Sequence, residues 1–233
     1  MERSNMVIGI VGGMGPHATV DLFRRLVEAF PTEKDWEKPR IIVDNYSTIP
    51  SRVRAVLYNE RREEIIECLA MSIRHMMDIG VQKIIVGCHT AHIFLPEAIK
   101  RVKGSEKCVL NIIQSSRDLC MEKGYDKMYL LASEGTVQTG IYKDVFCNSS
   151  IDILNPTEEE LVRIRELIEE VKQGKVTERS IERFADLVNG SECPVLLGCS
   201  ELPVLYGEAQ KLGEKFNNII VDPFQCVIEM IKR

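Results

Sequence analysis

Apolar runs of strand length alternate with helix-length amphipathic segments along the whole chain. VIGIV at 7–11 reads as a first strand, followed by a helix from about His17 to Phe30. IIVDN (41–45) reads as a second strand, and Ile65, Ile66, Leu69, Ile73, Met76 and Met77 line one face of a helix from Arg61 to Ile79, which Gly80 ends. IIVG (84–87), CVLNI (108–112), MYLLA (128–132), IDIL (151–154), PVLLG (194–198) and NIIV (218–221) are further strands. Between them, one helix stops at Gly124, another carries Leu161, Ile164, Ile168 and Val171 and ends at Gly174, and a third runs from about Val176 to Val188. Strands that are apolar almost throughout, alternating with helices, predict parallel sheet covered on both faces.

One stretch repeats. IIVGCHTAH (84–92) is echoed by VLLGCSELP (195–203): three aliphatic residues, Gly, Cys and a polar residue, with a helix expected beyond. Two such stretches half a chain apart predict two similar α/β halves. The expected division is 1–110 plus 208–233 for the half with Cys88, and 111–207 for the half with Cys199. The ligand crevice of an open α/β sheet lies at the carboxyl ends of the strands. A helix start there pulls a cysteine toward its thiolate. Two thiols facing one crevice suit removal of a proton from one face of a carbon and its return to the other, which is two-base racemisation or epimerisation beside a carboxylate. Cys88, next to His89, is expected to be the resting thiolate.

The loops after other strands supply candidate binding groups. GIVGGMGPHAT (9–19) offers Gly12, Gly13 and Gly15 for close backbone approach and Pro16 for a first helical turn, an anion site for carboxylate or phosphate. It also fits the dinucleotide pattern G-x-G-x-x-A, but the acidic partner expected about 20 residues on is missing. NAD(P) binding is therefore a minor alternative. ASEGTVQTG (132–140) occupies the matching place in the second half and offers the Thr136 hydroxyl; a plain helix cap accounts for it equally well. Arg52, in the loop IPSR, and Lys172, at a helix end, are candidate cations. His89 and His92 flank Cys88, but no C-x-x-C or H-E-x-x-H accompanies them, so no metal site is expected.

Composition narrows the class. The chain has 233 residues, 45% hydrophobic and 28% charged, with a formal net charge of −5. That is the profile of a soluble globular protein, and it argues against nucleic acid or an anionic membrane as main partner. No apolar run approaches the roughly 18 residues of a membrane span. The apolar run near the N-terminus is too short for a signal peptide. A cytoplasmic location is expected, where the eight cysteines would be reduced.

Taken in order, GIVGGMGP, IPSR, GCHTAH, LLASEGTVQTGIY, EEVKQG and LLGCSELP resemble the cofactor-independent aspartate/glutamate racemase family over nearly the whole chain. The resemblance implies two similar α/β domains with the active site in the cleft between them, a homodimer, and inversion of an acidic amino acid without a cofactor. It implies that Cys88 and Cys199 are the catalytic acid/base thiols. It makes Arg52 and Lys172 the cations for substrate carboxylates, and Met14, Thr90 and Thr136, with His89 and Ser200 beside the thiols, substrate contacts. Three positions depart from the family's pattern: His89 stands where Asn is usual, Ser200 where Thr is usual, and Tyr46 where Asn is frequent. His89 and Tyr46 put the preferred amino acid in question. The alternatives are a related dicarboxylate isomerase or decarboxylase, or an amino-acid-binding homologue that has lost turnover.

Overall fold

The computed structural model describes residues 6–233. The first five residues, part of the stretch read above as too short for a signal peptide, lie outside the described residues. The first half contains β1 (Val7–Val11), α1 (Pro16–Ala29), β2 (Arg40–Asp44), α2 (Arg52–Tyr58), α3 (Arg62–Asp78), β3 (Lys83–Val86), α4 (Leu95–Lys100) and β4 (Val109–Leu110). The second contains α5 (Ile112–Glu122), β5 (Lys127–Leu131), α6 (Glu134–Thr139), α7 (Ile141–Phe146), β6 (Asp152–Leu154), α8 (Glu158–Lys172), α9 (Glu178–Asn189), β7 (Val195–Leu197), α10 (Leu202–Lys211), β8 (Ile220–Val221) and α11 (Pro223–Lys232).

Two four-stranded sheets result, in the orders β2-β1-β3-β4 and β6-β5-β7-β8, with every pairing parallel. The strand orders correspond one to one, so the two halves have the same topology. The chain is thus α/β, with each sheet flanked by helices, as its pattern predicted. Cys88 follows the third strand of the first sheet, and Cys199 follows the third strand of the second.

Local sequence explains where several elements differ from expectation. The strand read over 108–112 is only Val109–Leu110, because the Asn111 side chain accepts hydrogen bonds from the Ile113 and Gln114 amides and starts α5. Gly140, at φ 66°, separates α6 from α7. α8 begins with a capping box in which Thr157 and Glu160 satisfy each other's backbone N–H groups. The segment 208–233, expected with the first half, contributes β8 to the second sheet: Val195 pairs with Ile220, and Leu196 with Val221.

Two hydrophobic cores belong to one half each. α3 buries Ile65, Ile66, Leu69 and Ile73 against Val11, Ile84 and Val86. α8 and α9 bury Ile164, Leu167, Phe184 and Val188 against Leu131, Val195 and Leu197. A third core is common to both halves, joining Ile8, Ile10, Leu22 and Ile85 to Met128, Leu130, Tyr142, Phe224 and Val227. Each fully buried side chain of this kind contributes about 1.5–3 kcal/mol. The shared core therefore sets the two sheets against each other and fixes the distance across the cleft.

Candidate active site

The carboxyl ends of β1, β3, β5 and β7 open on one cleft, lined by Met14, Arg52, Cys88, His89, Thr90, Lys172, Cys199, Ser200 and Glu201 together with Ser51, Val53, Ser133 and Ile168. Its free volume is about 60 Å³. It adjoins a wider vestibule of about 230 Å³ that shares Ser51, Val53, Ser133, Ile168 and Lys172 and adds Arg54, Glu134, Arg165 and Glu169. A larger cavity of about 540 Å³, between α1, α10 and α11, contains none of the predicted residues. The chemistry-bearing groups, rather than size, single out the smaller cleft.

On the first-half side, Gly13 makes the approach of the loop possible. Its φ is +81°, and a Cβ there would stand 2.3 Å from the Tyr46 carbonyl carbon. Arg52 is the first residue of α2, not a loop residue, because Ser51 caps that helix by accepting from the Arg54 amide. Its guanidinium is held by backbone: Nη1 donates to the Ile49 and Pro50 carbonyls at 3.2 and 2.9 Å, and Nη2 to the Met14 carbonyl at 2.9 Å. Among the described residues it pairs with no carboxylate, and its buried Nε has no partner. A cation oriented by carbonyls and lacking a counter-ion has the fork geometry that suits a carboxylate. Met14 enters the site through its carbonyl, which aims Arg52.

Cys88 is 6% exposed, and its sulfur makes no hydrogen bond among the described residues. Beyond it comes a 3-10 turn, Thr90–Ile93, before α4, in place of the helix predicted directly after the cysteine. His92 Nδ1 donates to the Cys88 carbonyl at 2.9 Å and pins the turn. His89 is fully buried, with Nδ1 2.6 Å from the Tyr142 hydroxyl and its ring against Phe224. Burial, and then His92, lowers His89 to about 3, and burial lowers His92 to about 4 despite its bond to the Cys88 carbonyl. His89 is therefore neutral near pH 7 and supplies no positive charge to a Cys88 thiolate. Nε2 of each histidine is buried without a partner.

Three hydroxyls meet across the halves. Thr90 Oγ1 lies 2.9 Å from Thr136 Oγ1 and 3.4 Å from Ser133 Oγ, and Ser133 lies 3.2 Å from Thr136. Gly135 lets α6 approach so closely, since a Cβ there would lie 3.1 Å from Val53 and 3.4 Å from Thr90. Hydroxyls rotate, so this cluster can turn donors toward an anion. Thr136 itself is absent from the cleft lining, and its hydroxyl contacts Thr90 and Ser133, which line it.

On the second-half side, Cys199 is held well above the ordinary thiol range, by burial first and then by the charge and hydrogen bond of Glu201. At Cys199 the pull of a helix start toward the thiolate is outweighed by the desolvated site beside a carboxylate. Lys172 ends α8 and donates to Glu169 at 2.8 Å. Burial draws its ammonium down, but the Glu169 hydrogen bond and the charges of Glu201, Glu169 and Cys199 outweigh that and leave it raised. Tyr46 is not in the cleft; its hydroxyl accepts from Cys68 at 3.6 Å on the far side of the Gly13 turn. Sequence reasoning missed Glu201 as a site residue, along with Ser51, Val53, Ser133 and Ile168. The carboxylate two residues after a cysteine in the otherwise apolar run LLGCSELP was the available signal for Glu201.

The sequence profile of the Asp/Glu/Hydantoin racemase family matches residues 11–231. The chain belongs to this family. A solved structure titled Picrophilus torridus aspartate racemase superimposes on it with a TM-score of 0.83, at 27% identity, covering 98% of this chain and 94% of that one. Glutamate racemase of Aquifex aeolicus (strain VF5) is 21% identical over 172 residues, 73% of this chain and 65% of the relative. Glutamate racemase of Aquifex pyrophilus is 26% identical over 141 residues, 60% of this chain and 54% of the relative. The matches thus span less than two thirds of both curated relatives. The family placement accounts for the paired sheets and the cleft between them.

Proposed function

We propose that this family member is a cofactor-independent racemase of an acidic amino acid, aspartate or glutamate, in which Cys88 and Cys199 are the two acid/base groups. The observation that carries this reading is the placement of two thiols, at equivalent strand ends of two like sheets, in one small cleft that also holds Arg52 without a counter-ion. Arg52 and the Thr90–Ser133 hydroxyls take one substrate carboxylate, and Lys172 the other. One sulfur removes the α-proton while the other delivers a proton to the opposite face. The carbanion is stabilised by delocalisation into the carboxylate held by these preorganised donors. The buried setting of both thiols strengthens such interactions.

Proton NMR in D₂O with L- and D-amino acids tests this directly. Loss of the α-proton signal together with inversion is expected for aspartate or glutamate. Cys88→Ser and Cys199→Ser should each abolish inversion. Turnover without inversion, or release of CO₂, would favour the isomerase or decarboxylase alternative, and absence of exchange with every acidic amino acid would refute the racemase reading.

A further inference from the structure

The two thiols are not in equivalent surroundings. Cys88 makes no sulfur hydrogen bond among the described residues, whereas Cys199 Sγ donates to Glu201 Oε2 at 3.1 Å. The same oxygen accepts from Ser200 Oγ at 2.9 Å. Glu201 is 2% exposed and is the one carboxylate lining the cleft among the described residues. Its other oxygen, Oε1, is buried without a partner and rests against Gly15 of the opposite half. Gly15 is the N-cap of α1, a 14-residue helix with no side-chain cap and no acidic residue in its first turn. The positive end of α1 therefore lies beside this carboxylate across the cleft. A buried carboxylate retained at such cost requires a role that a core side chain would not fill.

We propose that Glu201 is a positioning residue that keeps the proton on Cys199, so that in the resting protein Cys199 is the donor and Cys88 the acceptor. The proposal rests on the racemase reading and assigns its direction of proton flow. Cys88 as thiolate forms an S–H bond with the α-proton, and the C–H electron pair passes into the substrate carboxylate system. Cys199 gives its proton to the opposite face, a new C–H bond forms, and the S–H pair stays on sulfur. The product state then has a thiolate beside the Glu201 carboxylate. Repulsion between them drives the proton from Cys88 back to Cys199 through solvent once product leaves. Besides Glu201, the groups facing Cys199 are Cys88 from the end of β3, Lys172 from α8 and Tyr142 from α7, with neutral His89 beside Cys88.

The test is iodoacetamide labelling of Cys199 against pH, read by peptide mass spectrometry on the whole chain carrying Cys88→Ser, with and without Glu201→Gln. Removing the carboxylate should move the labelling onset at least about one pH unit lower and raise the rate at pH 8 about tenfold. Glu201→Asp, which keeps the charge but shortens its reach, should give an onset between the two and serves if the Gln variant does not fold. An unchanged onset in Glu201→Gln, or in Glu201→Asp where that variant serves, overturns the proposal. Labelling needs no turnover, so this result is independent of the D₂O exchange that tests the racemase reading.

Discussion

Gly15→Ala isolates the fit between the two halves at a single point. The backbone at Gly15, φ −145° and ψ 124°, is open to alanine, so the substitution adds no dihedral strain. Its whole effect is steric. The new Cβ would stand 2.2 Å from Glu201 Oε1 and 3.3 Å from Glu201 Cδ, against the 3.0 Å below which real Cβ contacts essentially never fall. Either the loop before α1 retreats or the carboxylate does. Overpacking of this kind costs about 1–3 kcal/mol. If Glu201 swings aside, it also surrenders its bonds from Cys199 and Ser200, and hydrogen bonds to a charged group contribute about 1.5–3 kcal/mol each. The expected loss is about 2–4 kcal/mol by urea unfolding, or a fall in Tm of about 5–10 °C for a chain of this size. Gly207→Ala is the control: it lies in α10, nothing sits within 4 Å of its added Cβ, and it should gain about 0.5–1 kcal/mol from helix propensity. A Gly15→Ala protein within about 0.5 kcal/mol of the parent, at unchanged m-value, would refute the packing argument.

Other expectations follow from the buried polar groups. The folded-state values of His89 and His92 lie near 3 and 4, below an unfolded value near 6.5, so the unfolded chain binds more protons between those limits and stability must fall as pH drops through that window. From pH 7 to pH 5 the loss should be on the order of 3 kcal/mol, and a His89→Asn/His92→Asn chain should show a much flatter urea-midpoint profile over the same range. Tyr142→Phe leaves His89 Nδ1 without its 2.6 Å partner and should cost about 1–3 kcal/mol, measured by chemical denaturation; a neutral result would mean that water satisfies the ring. Arg52→Lys keeps the charge but loses the fork that reaches the Met14, Ile49 and Pro50 carbonyls; under the racemase function proposed above, KM for aspartate or glutamate should rise at least about tenfold with kcat less affected, and an unchanged KM would refute the proposed role of Arg52 in substrate binding.

Much of the fold is visible in the chain because its strands are apolar on both faces and its helices on one. VIGIV and KIIV could be placed to within a residue or so, and the Gly-Cys repeat located both thiols at like positions in two like sheets. Short-range chemistry overrode pattern where the two competed. Asn111 turned the end of an apolar run into a helix cap, and Ser51 moved Arg52 from a loop into a first helical turn. The partner of a strand is a long-range property, so the pairing of β8 with β7 left no mark in the local sequence. The same limit applies within the cleft. The lowered pKa of His89 and the raised one of Cys199 both come first from burial, which no spacing encodes. Glu201, in contrast, is legible in the sequence, as a carboxylate two residues after Cys199.

The core common to both halves has a consequence for the order of assembly. α11 closes it with Phe224, Val227, Ile228 and Ile231, packs on α5 and α1, and sets Phe224 against the ring of His89, the neighbour of Cys88. A nascent chain that has completed both sheets except β8 still lacks the side chains that hold them face to face. The cleft is therefore assembled only once α11 has been made, and a chain stopped before about residue 223 should expose the apolar seam of both halves to chaperones and proteases, with neither half able to shelter it.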